Sequence, residues 1–323
     1  MTAIIISVLI SFGISIVIGP FLIPALRRLN FGQSILEIGP RWHAKKSGTP
    51  TMGGFIFIIA VTVTVIFFIK DHKAVVLLLT SLGFGLIGFI DDFIKVVLKR
   101  NLGLTAIQKF MAQTVAAVIF VAYTYYANLV DGEILIPFSS FVVELEWWLY
   151  IPFAVLVILA TVNSVNLTDG LDGLATGITI VVSVFFTIAA FAFKDIPAAL
   201  FTAAITGGCV GFLLFNAYPA KVFMGDTGSL FLGGAISVAA IVLKLPLMLI
   251  IVGGVYLIET LSVIIQVTSF KLTGKRVFKM SPLHHHFEMT GWKETHIVAL
   301  FVLATIVLSL IGFSGMMACV GYL

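Results

Sequence analysis

The sequence predicts an all-α, polytopic integral membrane protein with ten transmembrane helices and both termini on the extracellular side. Three observations carry that expectation. Of the 323 residues, 60% are hydrophobic and 11% are charged, whereas an ordinary soluble domain carries about 25% charged residues. Apolar runs recur along the whole chain, each near the roughly 20 residues that one bilayer crossing takes. The basic residues cluster on alternate connections between those runs, the bias that orients helices in a membrane.

In order, the runs bounded by polar or Gly/Pro clusters place helices at 2–26, 51–69, 74–94, 105–127, 147–164, 174–193, 197–215, 227–243, 247–268 and 296–321. The first has no basic residue ahead of its apolar stretch and outlasts a signal-peptide core, so it reads as a retained span. One set of connections holds Arg27, Arg28, Arg41, Lys45, Lys46, Lys95, Lys99, Arg100, Lys109, Lys221, Lys271, Lys275, Arg276, Lys279 and Lys293. That is 15 of the 19 basic residues, which assigns this side to the cytosol. The other side keeps Lys70, Lys73, Lys194 and Lys244. The net charge of +4 is then a matter of membrane orientation, with no nucleic-acid partner implied.

The outer connection at 128–146 carries Asp131, Glu133, Glu144 and Glu146 without any Lys or Arg, and Trp147 and Trp148 follow as interfacial anchors. It reads as a cap without chemistry. Cys209 and Cys319 lie in apolar runs with no partner spacing, which argues against both a disulfide framework and a thiolate metal site. No internal repeat or long linker divides the chain, so 1–323 reads as a single membrane-embedded domain with functional cytosolic loops.

The acidic residues Asp91, Asp92, Asp169, Asp172 and Asp226 all fall at cytosolic helix ends or in short cytosolic loops. Asp91 and Asp92 continue an apolar run, a costly place for carboxylates that lack a partner. They are either functional or helix-end acids neutralised by Lys95 and Lys99. The segment Asn163-Ser-Val-Asn-Leu-Thr-Asp-Gly-Leu-Asp-Gly173 packs amides, acids and glycines into one turn, where Asp169 and Asp172 can face one pocket. Helix capping accounts for one of these acids but not for both together with two Asn.

A third segment, Asn216-Ala-Tyr-Pro-Ala-Lys-Val-Phe-Met-Gly-Asp-Thr-Gly-Ser229, sets Asp226 at the start of an apolar run. Backbone N–H groups there can receive phosphate oxygens while the carboxylate ligates a divalent metal; an N-cap aspartate is the plainer alternative. The first cytosolic connection adds His43, Lys46, Thr49 and Thr51, which suit an anionic ligand. The run Ser281-Pro-Leu-His-His-His-Phe-Glu288 brings three adjacent histidines, poorly spaced for one zinc ion on a helix and better suited to donate to phosphate or sugar. Oxygen ligands without cysteine favour Mg²⁺ or Mn²⁺ over zinc. Glu259, inside the ninth run, stays unassigned, with structural pairing the simplest account.

Taken together, these segments resemble the polyprenyl-phosphate phospho-sugar transferases. Thr49-Pro-Thr-Met-Gly-Gly54, Asn166-Leu-Thr-Asp-Gly-Leu-Asp-Gly173 and His284-His-His-Phe-Glu288 are most similar to the bacterial branch that passes phospho-N-acetylmuramoyl-pentapeptide. The resemblance runs from the first cytosolic connection to the last and departs from the family pattern at no motif position. It implies ten helices with extracellular termini, a ninth helix that breaks and leans into the membrane, and a homodimer in the bacterial plasma membrane. It also implies the reaction: UDP-N-acetylmuramoyl-pentapeptide and undecaprenyl phosphate give lipid I and UMP, with Mg²⁺ required, as the first membrane step of peptidoglycan synthesis.

By the same resemblance, Asp226 holds the metal, and Asp91 and Asp92 sit at the reacting phosphates. Lys46, Thr51, Asn166, Asp169, Leu171, Asp172, Asn216, Phe223 and Gln266 match positions lining the nucleotide pocket, with Asp172 reading the uracil and Phe223 stacking on it. His284 and His285 match positions near the sugar and phosphate. A sister enzyme passing N-acetylglucosamine phosphate is the nearest rival, and the histidine triplet and the Thr-Pro-Thr-Met-Gly-Gly run speak against it. A coupled transporter would place its acids near the bilayer midplane. An intramembrane aspartyl protease needs its two aspartates on facing helices, whereas Asp91 and Asp92 are adjacent.

Overall fold

The computed structural model describes residues 1–28, 48–96 and 103–320. Nine helices in these residues are long and apolar enough to cross a membrane. They are α1 (Thr2–Arg28), α3 (His72–Val96), α4 (Ala106–Tyr126), α5 (Trp147–Thr168), α6 (Leu174–Ala192), α7 (Ile196–Asn216), α8 (Gly225–Val242), α10 (Gly254–Thr273) and α12 (Glu294–Val320). The chain is a polytopic membrane protein.

The second expected span is shorter than its apolar run. Helix α2 covers only Phe55–Val63 and passes into a π-helical stretch, Thr64–Ile69. Its start is delayed because the N–H groups of Gly53 and Gly54 donate to the carbonyls of Phe223 and Met224, at 2.8 and 3.0 Å, and Phe223 N–H returns a bond to Pro50. Those bonds tie 50–54 to the segment ahead of α8 instead of starting a helix. The ninth span is also not continuous. It divides at Gly253 into α9 (Pro246–Val252) and α10, so the break implied by the resemblance is present.

Two further elements lie where no helix was expected across the membrane. The 128–146 connection forms an antiparallel hairpin of β1 (Glu133–Leu135) and β2 (Val142–Glu144), with Ile134 opposite Val143. Lys244, in the corner between α8 and α9, bonds Asp131 and Glu133 of this hairpin, and its carbonyl accepts Leu135 N–H at 2.9 Å. The short helix α11 (Leu283–Met289) carries the three histidines.

Helix α8 is the hub. All but its first two residues are buried, and it packs chiefly against α3 and α5. With no water to expel between helices in a bilayer, close approach of small residues supplies much of the association. At Gly88 the α3 backbone passes so close to α8 that a Cβ would stand 2.1 Å from the carbonyl oxygen of Asp226. Asp91 and Asp92, one turn further along α3, are thereby delivered beside the start of α8. On the other flank, Ser7, Ser11 and Ser15 repeat every four residues along the buried face of α1. Ser7 Oγ donates to Leu200 O at 2.8 Å and Ser15 Oγ to Gly208 O at 3.1 Å, both on α7. The outer faces, by contrast, expose Leu9, Val17, Phe21, Leu79, Leu86 and Leu310. An apolar rim of this extent is normal for lipid and abnormal for water.

Candidate active site

The five aspartates singled out in the sequence come to one end of the bundle. The C-terminal end of α3 brings Asp91 and Asp92, the turn between α5 and α6 brings Asp169 and Asp172, and the first turn of α8 brings Asp226. One carboxylate oxygen from each of Asp91, Asp92 and Asp226 can be chosen so that all three lie within 4.8 Å of one another.

Each of these three carboxylates has a different set of partners. Asp92 faces the N-terminus of α8: Oδ1 accepts Asp226 N–H at 3.2 Å, and Oδ2 accepts Thr227 N–H at 2.9 Å and the Thr227 hydroxyl at 2.7 Å. These are N–H groups that no earlier turn of helix can satisfy, and the positive end of the helix dipole favours the charge. Gly225 makes the fit. Its φ is +75°, a region that glycine enters freely, and a Cβ there would press on Asp92 Oδ2 at 2.6 Å and Thr51 Oγ1 at 2.9 Å.

Asp226 is held by cations and an amide. Lys95 Nζ donates to Oδ2 at 2.8 Å and Lys109 Nζ at 2.9 Å, while Asn166 Nδ2 donates to Oδ1 at 2.8 Å. Lys95 also reaches Asp91 Oδ2 at 2.5 Å, and Asp91 Oδ1 accepts Leu104 N–H at 2.7 Å. Lys109 is aimed by a capping box: Gln108 N–H donates to Thr105 Oγ1, and Thr105 N–H donates back to Gln108 Oε1. Two ammonium groups therefore offset the charges of Asp91 and Asp226 at a membrane end, where unpaired charge is costly, and Asp92 is met by the head of α8.

In the turn after α5, Asp169 is partly buried and Asp172 is buried. Enclosure pushes the Asp169 carboxyl up to about 8, and the negative charges of Asp226, Asp92 and Asp172 add to that rise. Asp172 Oδ2 accepts Ala220 N–H at 3.0 Å, and its own N–H donates to Glu294 Oε1 at 2.6 Å. Leu171 beside it is buried at 4% exposure, whereas Phe223, on the facing segment, keeps part of its ring exposed.

Several expected pocket residues are engaged in holding loops. Asn216 accepts the Thr176 hydroxyl at 2.8 Å and donates to Val222 O at 3.1 Å. Gln266 accepts N–H groups of Val277 and Phe278 at 3.0 and 2.9 Å and donates to Phe278 O, which folds the loop that leads to the histidines. Thr51 is buried beside Gly225. His285 Nδ1 pairs with Glu288 Oε2 at 2.7 Å. His284 is enclosed, with Nδ1 at 3.0 Å from Glu259 Oε2, and Nε2 has no hydrogen-bond partner among the described residues. Lys46, with His43, lies outside the described residues.

The donor set fits a hard divalent ion. All candidate ligands are carboxylate or amide oxygens and no thiolate is near, the chemistry that suits Mg²⁺. Lys95 and Lys109 were read in the sequence chiefly as orienting or neutralising charges, and their direct hold on Asp226 was missed. For Lys109 a signal existed, because Thr105-Ala-Ile-Gln108 marks a helix start at the same end as the acids.

This arrangement, two cations and three acids beside an amide-rich turn, is what chemistry on phosphates requires. Residues 74–244 match the glycosyl transferase family 4 pattern, and residues 46–58 match signature 1 of the phospho-N-acetylmuramoyl-pentapeptide-transferases. The chain is 54% identical to the phospho-N-acetylmuramoyl-pentapeptide-transferase of Acetivibrio thermocellus over 309 residues, 94% of this chain and 93% of the relative. The chain belongs to the phospho-N-acetylmuramoyl-pentapeptide-transferase family. Relatives of the same name in Clostridium kluyveri and Clostridium novyi are 51% and 49% identical, the latter across 100% of this chain and 99% of its own length. The match to signature 1 includes Pro50, Gly53 and Gly54, the residues that bond the segment ahead of α8. The family 4 match spans every described helix that contributes an acid to the cluster.

Proposed function

We propose that this protein transfers phospho-N-acetylmuramoyl-pentapeptide from UDP-N-acetylmuramoyl-pentapeptide to undecaprenyl phosphate, giving lipid I and UMP at the cytosolic face of the bacterial plasma membrane. The observation that carries the reading is the meeting of Asp91, Asp92 and Asp226 with Lys95 and Lys109 at a membrane end, beside the Asp169–Asp172 turn. In the sequence, 15 of the 19 basic residues fall on the alternate connections assigned to the side of these acids, which supports a cytosolic site and extracellular termini. The nucleotide pocket is formed by Thr51, Asn166, Asp169, Leu171, Asp172, Asn216, Phe223 and Gln266, together with Lys46. In that pocket Asp172 reads the uracil, Phe223 stacks on it, and His284 and His285 lie at the sugar-phosphate side.

Asp226 holds Mg²⁺, and the ion when bound supplies charge neutralisation to the diphosphate. Two anions must approach for reaction, so Lys95, Lys109 and Lys46 also screen the donor and acceptor phosphates. A phosphate oxygen of the lipid attacks the sugar-side phosphorus, one P–O bond forms, and the bond to UMP breaks. One phosphoanhydride replaces another, so no further energy source is needed. With a second phosphate pKa of about 6, the acceptor needs little help to lose its proton. Asp91 takes it, its Oδ2 exchanging the Lys95 ammonium for that proton.

A covalent route through Asp92 is less well supported. Both oxygens of Asp92 are occupied by N–H and hydroxyl donors at the head of α8, and attack on phosphorus would strip those bonds. Asp92 instead positions α8, and with it Asp226. We further propose that the chain acts as one membrane domain and assembles as a homodimer, as in the family it belongs to; light scattering of the purified protein showing one chain per particle would remove the dimer.

Purified protein supplied with Mg²⁺, UDP-N-acetylmuramoyl-pentapeptide and a polyprenyl phosphate is expected to form UMP and a lipid-linked sugar in equal amounts. Turnover of UDP-N-acetylglucosamine in its place, with none of the muramoyl substrate, would assign the chain to the sister activity.

A further inference from the structure

Glu259 has no role in the chemistry described above, yet it is fully buried in the apolar helix α10. Its carboxylate is spent on one residue. Oε1 accepts the backbone N–H of His284 at 3.2 Å, and Oε2 lies 3.0 Å from the ring Nδ1 of the same histidine. A carboxylate can only accept, so the proton between them sits on Nδ1. With Nδ1 turned to Glu259, Nε2 is the ring nitrogen left to meet a ligand.

Nε2 is buried and unpartnered among the described residues. It is directed at the turn between α5 and α6: a Cβ added to Gly170 would stand 2.1 Å from Nε2 and 2.7 Å from Cε1. No side chain can separate ring from turn at that position. The His285 ring packs against it at a tilt of 58°, with centroids 4.2 Å apart, which restricts the plane. A buried polar atom without a partner, on a ring oriented by a dedicated buried acid, is the arrangement expected of a group reserved for a ligand.

We propose that Glu259 is a positioning residue for the transfer reaction. It holds His284 with the Nε2 lone pair at Gly170, to accept an N–H or O–H group of the nucleotide-sugar bound along the 169–173 turn. The proposal rests on the nucleotide-sugar reading given above. It gives α10 a role beyond spanning the bilayer, because the same carboxylate ties this helix to the histidine loop.

The test exploits the difference between an acid and an amide. In Glu259→Gln the amide can donate to Nδ1, which turns Nε2 from an acceptor into an N–H donor. The expected result is a rise of about tenfold in KM for UDP-N-acetylmuramoyl-pentapeptide, the effect of one lost hydrogen bond, with KM for polyprenyl phosphate unchanged. Glu259→Asp, which keeps the acceptor, is expected to recover part of that loss. Equal effects of both variants on both substrates, or no effect of either, would overturn the proposal.

A second measurement needs no variant. Nitrogen-15 spectra of histidine-labelled wild-type protein are expected to show His284 protonated at Nδ1 and bare at Nε2, with the Nε2 signal moving when UDP-N-acetylmuramoyl-pentapeptide is added. An Nε2 that carries the proton, or one unmoved by substrate in a sample that turns over, rejects the role of Glu259. A sample that releases no UMP when polyprenyl phosphate is present rejects the underlying reaction instead.

Discussion

Asp92 Oδ2 accepts both the backbone N–H and the hydroxyl of Thr227, at 2.9 and 2.7 Å, and so fastens the end of α3 to the first turn of α8. The residue between Gly225 and Thr227 is Asp226, so the geometry of the proposed metal ligand depends on a neighbouring acid that it does not touch through its side chain.

Asp92→Asn tests that dependence. The amide keeps one acceptor but adds a donor facing other donors, so the variant is expected to lose about 1–3 kcal/mol of stability and most of its turnover. Thr227→Val keeps the N–H and loses only the hydroxyl, so a smaller loss of about 1 kcal/mol is expected. Thermal unfolding in detergent checks both. Full stability in Asp92→Asn would mean that the bonds to α8 contribute nothing.

Asp226→Asn is expected to leave the fold intact and to reduce turnover by roughly a hundredfold to a thousandfold, the usual cost of removing one group that stabilises developing charge. The same variant should lose the response to added Mg²⁺. Wild-type rates would remove the metal assignment from this residue.

Lys109 Nζ lies 2.9 Å from Asp226 Oδ2, so a metal held by Asp226 would compete with it. Removing a unit charge about 4 Å away is worth about 1 kcal/mol in water, so Lys109→Gln is expected to bind Mg²⁺ roughly fivefold more tightly while turning over more slowly. Mg²⁺ titration of activity reads both effects. Weaker Mg²⁺ binding in this variant would mean that Lys109 helps to build the metal site.

Asp169 makes stability depend on pH. Its carboxyl is raised from 3.8 to about 8, first by burial and then by the charges of Asp226, Asp92 and Asp172. Between those two values the folded chain binds the proton and the unfolded chain does not, so stability falls as pH rises through that window. The fall should end above pH 8. In metal-free protein, Asp169→Asn is expected to flatten this slope, and an unchanged slope would place its origin elsewhere.

On the opposite side of the bundle, burial pulls the Lys244 ammonium down, but its bonds to Asp131 and Glu133 win and raise it. Lys244→Met is expected to loosen the β1–β2 hairpin by up to about 1 kcal/mol, the range for an exposed ion pair, without changing turnover. Loss of activity would connect this hairpin to the site.

Much of this architecture was legible in the chain. The apolar runs mark the helices because the bilayer imposes a length, and the five aspartates were grouped correctly because topology puts every second connection on one side. Local bonding was harder to read. The run at 51–69 is apolar enough for a full span, but Gly53 and Gly54 pair with Phe223 and Met224, a contact 170 residues away in sequence. The break at Gly253 was expected only from family resemblance, since nothing in the apolar pattern of 247–268 marks it.

Among site residues, Lys95 and Lys109 were mainly counted as charges on a loop, although both hold Asp226 directly. Gln266 and Asn216 match pocket positions by resemblance, and their side chains also bond loop backbone. The sequence leaves Glu259 unassigned because its partner is 25 residues downstream, on α11. Pattern along a helix reports which face is polar, not which distant group that face will meet.

Direct transfer between two bound substrates at the Asp91–Asp92–Asp226 cluster requires both to be present before any bond breaks. It is tested most directly by mixing the protein and Mg²⁺ with UDP-N-acetylmuramoyl-pentapeptide radiolabelled in the sugar-side phosphate, and quenching before and after polyprenyl phosphate is added. Direct transfer gives no UMP and no label on the protein until the lipid phosphate is present, then both UMP and labelled lipid together. A burst of UMP without lipid, with label retained on Asp92, would contradict it.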